Sequence, residues 1–289
     1  MTDVAAGSLR RRRSRSRRTA FLLVLPGAAV LAALFLLPIA QLIAGSFSDH
    51  AGALVHYRRI LAVPVYLLVL GRTVVISAIT AAICLVLGFP VAYRLVHAGP
   101  RGKAAILLCV FLSFWTNLLI RAFSWMVLLN PNGIVSHLFG AMGMPGGSVK
   151  LVYNLTGVLI GQTQILLPYM ILPLAAVMSR LDDAYVKAAR SLGASPFRAF
   201  TAVYLPLVRT GTLAGCVLVF TLSLGSFVVP ALLGGPRDMF LAQLIEFNIN
   251  QTLNLGFASA LSTVLLATTL LLYWIGDHWF GLGQVWGGR

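Results

Sequence analysis

Six mostly apolar runs, each long enough to cross a bilayer and each bounded by a polar break, constrain this chain more than any other feature. A bilayer core takes about 20 apolar residues per spanning helix. With no water to satisfy backbone amides there, runs of this length must close their hydrogen bonds within the segment as helices. The runs lie at about 21–43, 65–93, 104–129, 152–178, 207–229 and 257–275. They predict an all-α integral membrane protein with about six transmembrane helices. Hydrophobic residues make up 59% of the 289 and charged residues 10%, which leaves no room for a sizeable soluble domain. Residues 1–19 read as a disordered basic arm and 20–289 as one transmembrane domain.

The formal charge of +15 raises the question of nucleic acid, but its distribution answers a different one. Sixteen of the 22 Lys and Arg residues fall on one side of this topology, in the arm from Arg10 to Arg18, around Arg94 to Lys103, between Arg180 and Arg209, and at Arg289. Positive charge flanking apolar runs marks the cytoplasmic face, so both termini and the segment 179–206 are placed in the cytoplasm and no nucleic-acid partner is implied. Arg58 and Arg59 run against this trend. Ser16-Arg17-Arg18 ahead of Phe21-Leu22 has the look of a twin-arginine export signal. The run Phe21 to Ile43 exceeds a signal core, however, and no small-x-small site closes it, so it reads as an uncleaved first span. The basic arm is also suited to anionic lipid.

Catalytic patterns are missing. The sequence has no Ser-His-Asp-like set, HExxH, CxxC or phosphate loop; Gly102-Lys103 is followed by alanine and lacks the preceding glycine pattern. Cys84, Cys109 and Cys216 sit singly in apolar runs, and the five histidines are scattered, so no metal site is expected. If ATP and Mg are used, a partner chain binds them. A transporter driven by an ion gradient calls for titratable residues in mid-membrane and an internal repeat; the spans carry no acidic residue. They do carry Trp115, Asn117, Arg121 and Trp125 in the third run, and an arginine so deep must face protein or water. Asn154, Gln162, Gln164, Pro168 and Pro173 in the fourth are unsuited to a straight lipid-facing rod.

The segment Leu181 to Gly211 interleaves polar and apolar residues and reads as two short helices with a glycine hinge. Asp182 or Asp183 caps the first and Gly193 ends it. Tyr185, Ala188, Ala189 and Leu192 form one apolar stripe. Ser195 caps the second helix, Pro196 fits its first position, and Phe197, Phe200, Thr201 and Tyr204 repeat the spacing.

This segment resembles the "EAA" loop of the inner-membrane permease subunits of binding-protein-dependent ABC importers. That pattern, Glu-Ala-Ala, three residues, Gly, nine residues, a hydrophobic residue, any residue, Leu-Pro, falls on Lys187-Ala188-Ala189, Gly193, Val203 and Leu205-Pro206. Leu192-Gly193-Ala194-Ser195 also fits, whereas Lys187 replaces the leading glutamate. The resemblance implies the type I importer permease fold and a coupling helix seated in a separate ATPase. It assigns Asp183, Lys187, Ala188, Ala189, Leu192, Gly193, Ala194, Ser195, Leu205 and Pro206 to coupling. It also implies an inner-membrane location, two ATPase subunits, a second permease that is a homologous chain or another copy of this one, and a periplasmic binding protein. Within the family, Phe114-Trp115-Thr116-Asn117 with Ile120 to Trp125, Leu129 to Gly133, and Ser226 to Pro230 with Leu233 to Pro236 resemble the spermidine/putrescine-type permeases. For such a cationic solute, Trp115, Trp125, Tyr169, Asp238 and Glu246, with Asn117 and Arg121, are the candidate pathway residues.

Overall fold

The computed structural model describes residues 25–47, 52, 54–141, 151–182 and 184–280; the basic arm and Asp183 lie outside these. Every regular element among the described residues is helical. They are α1 (Leu25–Ser46), α2 (Val55–Ala62), α3 (Pro64–His97), α4 (Pro100–Trp115), α5 (Leu118–Leu128), α6 (Ile134–Ala141) and α7 (Leu155–Met178). There follow α8 (Ala184–Ser191), α9 (Pro196–Ala199), a π turn over Phe200–Tyr204, α10 (Leu205–Leu224), α11 (Val228–Leu233), α12 (Leu241–Asn250) and α13 (Leu255–Phe280). Five helical stretches are long and apolar enough to cross a membrane, and α4 with α5 makes a sixth if the bent pair is one span.

α7 is the centre of the bundle, with α3, α10 and α11 packed around it. Hydrocarbon gives helices no hydrophobic reason to associate, so close approach through small residues has to supply the attraction. A Cβ on Gly88 of α3 would lie 3.0 Å from the Met170 side chain, and one on Gly215 of α10 would lie 2.7 Å from Met170 Sδ. Gly211 faces Val177 and the Pro173 carbonyl, and Gly161 of α7 itself faces Leu233 of α11. Pro168 and Pro173 sit inside α7. They withhold the helical donors for the Gln164 and Tyr169 carbonyls, a loss better tolerated inside the bundle than in lipid. The Cys84 thiol donates to the Thr163 carbonyl across the α3–α7 contact.

A second cluster gathers Ile60, Val69, Leu241, Phe257, Ala260 and Leu261 from α2, α3, α12 and α13. Here Arg59, one of the Arg58-Arg59 pair that runs against the charge trend, lies over the Phe257 ring at 4.7 Å, a cation–π contact. Arg72, in the first turns of α3, donates to the Arg237 carbonyl at 2.6 Å. Thr73 accepts from the Leu241 N–H, fixing the start of α12 to α3. The apolar middle of α1 is exposed, and only its end is tied in, by a hydrogen bond between Ser46 and Tyr57.

The third apolar run is not the continuous rod that its length suggests. α4 and α5 diverge by 100° at Thr116-Asn117. Thr116 ends α4 by donating its N–H and its hydroxyl to the Leu112 carbonyl, and Asn117 caps α5 by accepting from the Leu119 N–H. The fifth run also breaks, at Gly225 to Phe227, so 225–229 does not continue α10.

Gly211→Ala places a methyl 2.8 Å from Val177 Cβ, neither of them a flexible end. It is expected to destabilise the chain by about 1–3 kcal/mol. Gly71→Ala, with nothing within 4 Å, should be neutral. Thermal unfolding of both variants in detergent checks the difference.

Candidate functional site

Two places gather the chemistry-bearing residues: the segment between α7 and α10, and a cavity where the broken helices meet.

In the first, Asp182 accepts from the Ala184 N–H at 2.8 Å and so starts α8. α8 ends in a Schellman arrangement. The Ala194 N–H donates to the Ala189 carbonyl and the Gly193 N–H to the Arg190 carbonyl, with Gly193 at φ 89°. A side chain there would strain the backbone, which is the physical reason for glycine. The Ser195 hydroxyl accepts from the Arg198 N–H, and Pro196 opens the next helix. That helix does not end as the sequence pattern suggests: Pro196 to Leu224 runs on as one stretch into α10. Pro206 has no N–H for the Ala202 carbonyl and its ring crowds that turn. The π turn beside it accommodates the misfit, with the Leu205 N–H reaching back to the Phe200 carbonyl.

Tyr185, Lys187, Ala188 and Leu192 are exposed, Leu192 to 89%, and Phe197 to 78%. Ala189 and Ala194 are half-buried, and Ser195, Leu205 and Pro206 exposed. The stripe Tyr185, Ala188 and Leu192 is thus an apolar surface left open on a helical hairpin. The second predicted stripe divides. Phe197 points out, while Phe200 and Tyr204 stack on each other and meet Tyr93 of α3 edge-on.

In the second place, a cavity of about 360 Å³ lies between α5, α7 and the α10–α11 break, lined in part by Arg121, Gln162, Tyr169, Gly225 and Ser226. Arg121 donates to Ser113 at 2.9 Å, Gln164 donates to the same hydroxyl, and Trp125 donates to Gln164. This chain of bonds braces the bend between α4 and α5 against α7. Gln162, 1% exposed, donates to Ser223, while its Oε1 and the Arg121 Nε have no partner among the described residues. Buried polar atoms left open beside a cavity are what a solute's own groups could satisfy.

The predicted pathway residues are thus dispersed. Arg121 and Tyr169 line the cavity. Trp125 belongs to the brace, Asn117 caps α5, and Trp115 is 87% exposed at the bend. Asp238 closes its own turn by accepting from the Gly235 N–H, and Glu246 accepts from Asn250 one turn on. Gln162, Ser113 and Ser223 were missed as site residues. The signal for them was a polar side chain inside an apolar run, which for Gln162 was visible.

Membrane-length apolar helices, with breaks beside a mainly apolar cavity into which Arg121 and Gln162 also come, define an integral membrane protein. The chain belongs to the family of binding-protein-dependent transport system inner membrane components, whose model matches residues 84–279. It is therefore an inner-membrane permease subunit of an ABC importer. It is similar to the spermidine/putrescine transport system permease protein PotB of Haemophilus influenzae, 36% identical over 214 residues, 73% of this chain and 75% of that one. The protein of that name from Escherichia coli K12 is 32% identical over 232 residues, 79% and 84% of the two chains. The molybdenum transport system permease protein ModB of Azotobacter vinelandii is 26% identical over 163 residues, 56% and 70%. In fold, the chain matches a bacterial ABC transporter involved in import of the acidic polysaccharide alginate, with TM-score 0.74 and 15% identity over 94% and 98% of the chains.

Ser113→Ala removes the acceptor shared by Arg121 and Gln164. It should cost about 1–3 kcal/mol, seen as a lower unfolding temperature in detergent. Ser124→Ala, whose hydroxyl bonds only its own helix at Ile120, should not.

Proposed function

We propose that this subunit forms half of a pathway for polyamine uptake and is driven by a separate ATPase that docks on the 184–206 hairpin. The observation that carries the solute class is the 32–36% identity to PotB permeases across about three quarters of the chain. The docking reading is supported by the open stripe Tyr185, Ala188 and Leu192 beside the Gly193 turn. ATP and Mg belong to the ATPase, a periplasmic binding protein delivers the solute on the opposite face, and a second, homologous permease chain supplies the other wall. The positive-inside count supports a cytoplasmic position for the hairpin.

Polyamines are cations, and this chain's cavity holds Arg121 with no carboxylate lining it. The ammonium groups are then met on this side by the Gln162 carbonyl oxygen and the Tyr169 ring. The carboxylates are assigned to the second permease chain. Asp238 and Glu246 stand on the outer face, where an arriving cation is first attracted.

Gly193→Val forces a β-branched residue to positive φ and should distort the α8 end without expelling the chain from the membrane. In the assembled transporter, spermidine uptake should fall at least tenfold while ATP hydrolysis persists and loses its response to loaded binding protein. Uptake and stimulated hydrolysis at wild-type levels would remove the hairpin from the coupling path.

A further inference from the structure

The two faces of α8 differ in chemistry. Successive residues of an α-helix turn by about 100°, so Tyr185, Ala188, Ala189 and Leu192 share one side while Val186, Lys187 and Arg190 share the other. That second side borders a cavity of about 390 Å³, completed by Tyr93 and His97 from the end of α3 and by Pro196, Phe200 and Tyr204. The size is that of a ligand pocket. Neither the Lys187 ammonium nor the Arg190 guanidinium makes an ion pair or hydrogen bond among the described residues, and 184–206 contains no Asp or Glu. Two cations one turn apart thus border a space with an aromatic floor, and no carboxylate among the described residues lines it.

The depth of this space says what enters it. Tyr93 and His97 stack at the C-terminal end of a membrane helix, next to Arg94. Aromatic and basic residues at that position mark the boundary between hydrocarbon and headgroups. The cations face away from the apolar stripe on which a protein would seat, so a side chain of a docked ATPase approaches the wrong face. Phosphate, with several acceptor oxygens and negative charge, matches a lysine and an arginine at this spacing.

We propose that the cavity beneath α8 binds a phosphate group, supplied by an anionic phospholipid of the cytoplasmic leaflet. Through it, lipid would hold α8 against α3. The site does not depend on the transported solute or on the ATPase.

The test titrates the purified full chain, in neutral detergent, with phosphatidylglycerol and counts bound lipid by native mass spectrometry. Phosphatidylcholine and inorganic phosphate are parallel arms. Wild type should retain phosphatidylglycerol over phosphatidylcholine, and inorganic phosphate should not displace it. Lys187→Gln with Arg190→Gln should weaken binding by about fivefold per cation, about 25-fold together. Lys187→Arg should retain binding, and so should Arg198→Gln, an exposed cation of the same hairpin that does not border the cavity. Displacement by inorganic phosphate would overturn the lipid source. Equal retention by wild type and the double variant, or equal loss in Arg198→Gln, would overturn the site. If wild type binds neither lipid nor phosphate and the double variant weakens only the complex with the ATPase, the cations belong to the protein partner and the proposal fails.

Discussion

Close contact between helices at glycine carries this structure. α7 is buried along most of its length; around it, Gly88, Gly211 and Gly215 let α3 and α10 approach, and its own Gly157 and Gly161 admit α11. In lipid the gain comes from van der Waals packing, which a single extra methyl disturbs. The same tight centre makes the rest possible. Because α7 is sheltered, it tolerates two prolines and a fully buried glutamine that a lipid-facing helix would not hold.

Around that centre, broken helices do what whole ones cannot. The bend at Thr116-Asn117 and the gap at Gly225 to Phe227 bring the start of α5 and the end of α10 together beside Arg121 and Gln162. Irregular backbone at that depth persists only where it lines a cavity or is covered by protein. The brace from Arg121 through Ser113 and Gln164 to Trp125 satisfies part of the polar demand and fixes the angle between α4 and α5. The 184–206 hairpin is linked to this cavity by one unbroken stretch from Pro196 to Leu224.

Much of this was legible because local chemistry fixed it. Gly193, Ser195 and Pro196 announce a helix end and a helix start, and the structure has the corresponding hydrogen bonds. Polar residues in apolar runs signalled buried work for α7. What the pattern hid was tertiary. A helical period cannot report that Asn117 serves as a cap in mid-run, or that Phe200 and Tyr204 turn toward Tyr93 while Phe197 faces out. Nor does charge alone show that Arg59 rests on Phe257 or that Asp238 is occupied by its own turn. The α9–α10 fusion follows from Pro206, whose crowding widened a turn where the spacing suggested a stop.

The most direct measurement is labelled-spermidine uptake into proteoliposomes that contain this chain, its second permease and the ATPase, with the binding protein outside and ATP inside. Uptake should require both ATP and the binding protein and should vanish when the ATPase is left out. Spermidine accumulation by the permease chains alone, driven by an ion gradient, would contradict the account.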